Sequence, residues 1–252
     1  MSLKLYHAEP AANSLKALIA FKEKGLEFES IYVDLHRFQQ HEPWFVAINP
    51  EGQVPVLDHD GKIITHTTVL NEYLEDAFPD APALRPADPY GKARMRYWNK
   101  FVDEEVMNHT SLWGWHYIVT PTARALDAEA FEKFLERIPK EEQRNKWRTA
   151  REGFPEADLA FAKRKVERAV DNTEAQLSES EWLAGDMYTL ADINMFCMLG
   201  FLLARSFPDL AVPERCPHLL DWTERIMQRP GVKAALAMPG REEMARKTGS
   251  EG

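Results

Sequence analysis

Asn13 and Ser14 stand side by side where a short β run gives way to helical periodicity, and His66-Thr67 open the third helix in the same manner. Amides and hydroxyls at a helix start either cap the backbone or stand beside free N–H groups that attract an anion. On spacing alone Asn13 and Ser14 read as caps, and Thr67 as a place suited to a carboxylate. Between them lies Gln53-Val54-Pro55, with the proline where a β ladder would want a donor. Such a proline is tolerated at an edge or in a tight turn, and a cis bond is one way to make that turn. Further on, Ser111-Leu112-Trp113-Gly114-Trp115-His116-Tyr117 is rich in aromatic side chains. They could bind a flat aromatic ligand or simply pack helices together. Cys197 and Cys216 form neither a disulfide framework nor a zinc pattern, and Cys197 reads as a packed thiol in an apolar run. No metal is expected.

The elements that must hold these residues follow from periodicity. Strands are expected at Leu3–Tyr6, Phe28–Val33, Val54–Asp58 and Lys62–Thr65, the last two joined by a hairpin at His59-Asp60-Gly61. A helix over Ser14–Lys24 carries Leu15, Leu18 and Ile19 on one face and is ended by Gly25. Another carries Val69, Leu70, Tyr73, Leu74, Ala77 and Phe78 at spacings of three and four. Residues 83–90, with Pro86 and Pro89, read as a linker, and Asp88-Pro89 gives a cap and a first-turn proline. From there to about Ala237 the periodicity is almost wholly helical, with 192–205 apolar nearly all round. Thr189 and Asp192 make a capping box with Asp in place of the usual Glu or Gln, a structural feature with no catalytic part.

Bulk composition narrows the function. The chain has 252 residues, 44% of them hydrophobic, enough for a sizeable core. A net charge of −9 argues against nucleic acid as a partner. Residues 1–82 hold 6 Lys/Arg against 13 Asp/Glu, so an anionic ligand there must be held by local donors and not by long-range steering. The longest apolar stretch, Met195–Ala204, is about half the ~20 residues of a membrane span. No signal peptide is recognised at the start. A soluble, cytoplasmic protein without a membrane partner is the expectation.

The stretch Asn49–Asp76 and the motif Trp182–Phe196 resemble the glutathione transferase superfamily. The resemblance implies a thioredoxin-like α/β domain over residues 1–82 that binds glutathione as co-substrate, then an all-α bundle over 91–252 that supplies the electrophile pocket. It also implies a homodimer. In related transferases the activating residue sits where Asn13 and Ser14 stand, so thiolate stabilisation is assigned to one or both. Only the thiolate is a good nucleophile, and a free thiol has a pKa of roughly 8.5. Val54, before a cis Pro55, would pair its backbone with the cysteinyl unit. His41 and Gln53 would lie near the glycine carboxylate, their alternatives being a surface histidine and a turn residue. Where the family has an acid or Gln followed by Ser, this chain has His66-Thr67. The hydroxyl is kept and the anion for the γ-glutamyl ammonium is lost.

Ala12–Lys16, Gln40–Phe45, the aromatic run and Lys146–Pro155 look like the bacterial β-etherase branch, whose members cleave β-aryl ethers of lignin-derived dimers. The likeness runs from about Leu3 to Arg246. It implies a small aromatic electrophile, with Trp113, Trp115 and His116 as candidate pocket residues. The alternatives are a dehalogenase or general conjugating transferase, or a non-catalytic binding protein of the same fold.

Overall fold

The computed structural model describes residues 2–240, so the last six residues of the stretch from Leu3 to Arg246 lie outside them. A four-stranded sheet is built from β1 (Leu3–His7), β2 (Glu29–Tyr32), β3 (Val56–His59) and β4 (Lys62–Ile64) in the order β2-β1-β3-β4. β1 runs parallel to β2, while β3 is antiparallel to both β1 and β4. The parallel pair needs a crossover, supplied by helix α1 (Ala12–Glu23). The β3–β4 connection is a two-residue turn with Asp60 and Gly61 both at positive φ, 51° and 83°. This is the geometry that Asp-Gly favours. Gly25, at φ +64°, follows the α1 cap, and Leu26 N–H bonds back to the Phe21 carbonyl.

α1 differs from its expected form in two ways. It begins at Ala12, two residues early, because Ala11 takes the cap position in extended conformation with no side-chain bond. It is also buried on nearly every side: Leu15 through Phe21 all lie inside, between the sheet and the helical part. A one-faced stripe in the sequence could not show this second packing surface.

α2 (Pro43–Val46) is a single turn, and α3 (Thr67–Ala77) follows the hairpin. Then α4 (Pro89–Phe101), α5 (Met107–Gly114) and α6 (Thr120–Ala125) run on as one long helix with wide π turns at Val102–Val106 and Trp115–Val119. α7 (Ala128–Glu136) and α8 (Glu141–Glu152) are joined by a short turn, and α9 (Glu156–Glu179) buries a stripe of Ala162, Val166, Ala169, Val170, Thr173 and Leu177. α10 (Leu190–Met195) and α11 (Phe201–Ser206) flank a third wide turn, and residues 190–200 are all buried. α12 (Pro217–Gln228) and α13 (Pro230–Leu236) close the bundle. α13 packs on α1. Arg229 grips Glu23 through two bonds of 3.0 and 2.6 Å, and a Cβ at Gly231 would come within 2.8 Å of that glutamate.

The proline-bearing connection is packed and not loose. Leu84 is buried, its N–H reaches Glu75 at 3.2 Å, and its carbonyl accepts from Leu190 at 2.9 Å. Val69, expected on the buried stripe of α3, is instead 58% exposed.

Candidate functional site

The thiol end is built from the loop after β1. Ser14 is buried and its Oγ accepts the Ala8 N–H at 3.0 Å, which leaves the hydroxyl proton free to donate elsewhere. Asn13 is half-buried, and its amide lies 3.8 Å from the Met107 sulfur across the domain junction. Neither residue caps α1, so the cap reading is corrected: they occupy its second and third positions. The first turn therefore keeps N–H groups unclaimed by a side-chain cap, beside one hydroxyl and one amide. Ala12 holds φ 45°, a left-handed conformation that costs a non-glycine residue roughly 1–3 kcal/mol.

The middle of the site is the Val54–Pro55 peptide, which is cis as the sequence suggested. Pro55 is buried; Val54 packs beside Tyr6, Val33, Phe45 and Val56. Tyr6 faces this apolar cluster, as a strand residue should. Gln53 is exposed, and its carbonyl is held by the Asn49 side chain at 2.8 Å.

At the start of α3, His66 holds φ 62° and ψ 114° and makes no capping bond. Thr67 is buried beside those uncapped N–H groups. The His66 ring points outward, 64% exposed, and its Nε2 lies 3.8 Å from the Glu51 carboxylate. An acid absent from position 66 is thus present at this end from another turn.

His41 departs from the surface alternative. It is 6% exposed and lies against Gly52, where a Cβ would come within 2.7 Å of His41 Nδ1. Burial, helped by the nearby Arg137 guanidinium, pushes its pKa down to about 4. At neutral pH it is uncharged and offers a carboxylate a hydrogen bond at most.

The aromatic run does not form one wall. Trp113 stacks on Tyr117 at 5.3 Å and meets Phe207 edge-on at 4.9 Å, packing against the main core. Trp115 points into a separate cluster, 5.3 Å from Trp147, with Lys146 Nζ 4.5 Å over its ring. His116 lies 4.7 Å from Tyr117, its Nδ1 buried with no hydrogen-bond partner among the described residues. Residues two apart on a helix face different ways, and the two tryptophans accordingly pack against different clusters. Trp147 is buried and packs in the same cluster as Trp115.

Two residues, Asp103 and Lys16, tie the two parts together that composition could not single out. Asp103, in the first wide turn, accepts the Thr68 hydroxyl at 2.6 Å and lies 3.9 Å from Lys16 Nζ and 3.4 Å from Asn194 Nδ2. Lys16 is 1% exposed, and burial holds its ammonium pKa down to about 8, with Asp103 opposing. Asn13–Met107 and Lys16–Asp103 are thus two rungs between α1 and the long helix, one turn apart on each. The signal in the sequence was a lysine set between Leu15 and Ala17 in the apolar middle of α1. Cys197, fully buried, has its thiol pKa pushed far up and is inert as a nucleophile.

The arrangement offers donors at one helix start for a thiolate, an extended backbone edge beside a cis-proline, and an uncapped helix start for a carboxylate. The glutathione S-transferase N-terminal domain model matches residues 1–76, and the C-terminal domain model matches 138–230. Protein LigF of Sphingobium sp. (strain SYK-6) is 43% identical over 251 residues, 98% of each chain. The crystal structure of β-etherase LigF from that strain superposes with a TM-score of 0.91 at 44% identity, covering 95% of this chain and 100% of that one. Glutathione S-transferase 3 of Zea mays is 27% identical over 93% of each chain. Glutathione transferase F7 of Populus trichocarpa superposes at 0.73 with 25% identity, over 92% and 97% of the two chains.

Proposed function

The chain belongs to the glutathione S-transferase family, and from that premise we propose that it is a glutathione-dependent β-etherase acting on lignin-derived aromatics. What carries this reading is likeness to the β-etherase LigF over nearly all of both chains, the helical part included. In transferases that part builds the wall for the electrophile.

Glutathione binds along Val54, with its thiol at the start of α1 and its γ-glutamyl carboxylate at Thr67. Asn13 and Ser14 favour the thiolate through charge-assisted hydrogen bonds, and the thiol proton goes to solvent. The sulfur attacks the carbon that bears an aryloxy group and neighbours a ketone. A C–S bond forms as the C–O bond breaks. The aryloxide leaves with the electron pair and takes a proton from water, and a glutathione thioether remains. The adjacent carbonyl activates that carbon, so the protein must supply thiolate stabilisation and alignment more than a strong acid.

Incubation with glutathione and a β-aryl ether ketone should release phenol and thioether in equal amounts. The matching α-alcohol should react roughly 100-fold more slowly or worse, a barrier difference of about 3 kcal/mol. Turnover of a small alkyl halide with the ether ketone untouched would remove the etherase reading and leave a general transferase. No thioether from any electrophile, with no glutathione-dependent rise in Tm, would leave a non-catalytic member of the fold.

A homodimer in the cytoplasm belongs to the same reading. Ile63, Val69 and Tyr97 are exposed apolar groups on β4, α3 and α4, and the Arg96–Glu72 ion pair joins the last two elements. Such a surface suits a second copy. Light scattering should give twice the chain mass, and Val69→Glu should give a monomer; a wild-type monomer at micromolar concentration would sink it. A thiol co-substrate and two unpaired cysteines suit a reducing compartment. Recovery of the native protein from an extracytoplasmic fraction would count against that.

A further inference from the structure

We propose that Arg137 and Lys140, at the turn between α7 and α8, hold the glycine carboxylate of glutathione, so that the helical part supplies cations to a first part that is acidic in sum. This rests on the proposed function and adds residues to the site.

The need for such cations comes from the sheet-bearing part. Its residues are strongly acidic in sum, and Glu42 and Glu51 flank the place expected to take the carboxylate. His41, the residue expected there, is buried and uncharged at neutral pH. Gln40 Oε1 and His41 Nδ1 are both buried with no hydrogen-bond partner among the described residues, on residues 8% and 6% exposed. Unpaired buried polar atoms side by side mark a place built for something more than packing. A neutral imidazole and an amide can each donate an N–H to a carboxylate, but they cannot balance its charge.

The balancing charges arrive from another part of the chain. Arg137 lies 3.8 Å from Glu42 and close enough to His41 to depress that imidazole's proton affinity. Lys140 Nζ lies 2.8 Å from Glu51, in the same turn as Gly52 and Gln53. The Lys140 ammonium holds the Glu51 carboxyl below its ordinary range, so this acid stays ionised. Both pairs are partly exposed, and such pairs are weak and readily shared. A guanidinium has five N–H donors and an ammonium three, so each cation can accept a second carboxylate without releasing the first.

The turn is held in place before any ligand arrives. The Arg144 guanidinium donates to the Ile138 and Pro139 carbonyls at 2.7 and 3.1 Å. Phe38, just before His41, inserts its ring between α7 and α8, 4.0 Å from Phe134 and 5.6 Å from Trp147. Phe131, Leu135 and Ile138 complete that apolar cluster. Its burial fixes residues 137–140 over residues 38–42, so the cations need not be ordered at the moment of binding.

The test compares glutathione with its glycine ethyl ester, binding measured by calorimetry on the whole protein. Wild type should bind the ester more weakly than glutathione. The double variant Arg137→Ala with Lys140→Ala should lose roughly tenfold or more in affinity for glutathione and almost nothing for the ester. Lys140→Arg in the wild-type background should keep most of the affinity. The thermal midpoint of the double variant without ligand should match wild type, which separates lost contacts from a lost hairpin. Equal losses for both ligands, or no loss for either, would overturn the assignment while leaving glutathione as co-substrate. Wild-type protein that binds no glutathione at all would overturn the functional reading and this one with it.

Discussion

Asp192→Ala is expected to lower the unfolding free energy by about 3–5 kcal/mol, the cost of removing one partner from a buried, fully bonded charged group. Asp192 is 0% exposed and accepts four hydrogen bonds. Oδ1 takes the Leu183 N–H and the Trp222 indole N–H, each at 3.0 Å. Oδ2 takes the Thr189 N–H at 2.9 Å and the Thr189 hydroxyl at 3.1 Å. Burial pushes the carboxyl pKa up, and these four donors oppose that push. With alanine there, two backbone donors and an indole N–H are left without acceptors in the centre of the bundle, at roughly 1–3 kcal/mol each before any relaxation. The residue also joins three segments: the start of α10, the loop at Leu183, and α12. Urea unfolding of the two proteins measures the difference. A loss below about 1 kcal/mol would show that the box is ornamental. Activity per folded molecule should be unchanged, since the group is remote from the thiol donors in its bonding.

Removing both Asn13 and Ser14 side chains should raise the pKa of bound glutathione by about 1–2 units, because a hydrogen bond to a charged group contributes about 1.5–3 kcal/mol and one pKa unit is about 1.4. At pH 7 the thiolate fraction, and with it kcat/KM, should fall by roughly 10- to 100-fold. Thiolate absorbance against pH in the complex measures this, and an unchanged pKa in the double variant would refute the assignment. The single variants divide the roles by a second readout. Ser14→Ala also strands the buried Ala8 N–H, so it should destabilise the fold as well as shift the thiol. Asn13→Ala gives up only a long contact to the Met107 sulfur and should leave stability nearly intact. Whichever single change moves the thiol pKa names the donor.

Features decided within a few residues of chain were legible beforehand. Asp60-Gly61 carries its own turn, Gly25 its own left-handed stop, and Asp88-Pro89 and Thr189…Asp192 their own helix starts, because the bonds involved span five positions or fewer. The order of strands and helices followed from those signals, and with it the place of Val54-Pro55, Thr67 and the first helix start. Two local expectations were displaced by distant partners. The start of α1 moved to Ala12 because Ala11 takes the cap position while Ser14 Oγ is engaged by the Ala8 N–H, and Val69 turned outward because α3 presents its other face to α1.

The amino-acid sequence by itself determined the elements, their order and the family resemblance, since those rest on short-range periodicity and on motifs contiguous in the chain. Only the tertiary structure decided what each candidate residue can do, because charge state and direction depend on groups far away in sequence. His41 is uncharged at neutral pH because it is buried, with Phe134 of the helical part against its ring and the Arg137 charge nearby. Lys16 is buried opposite Asp103, and Trp113 and Trp115 part company into two clusters. Glu51 meets Lys140 across 89 positions of chain for the same reason: a folded surface brings together charges that no spacing rule relates.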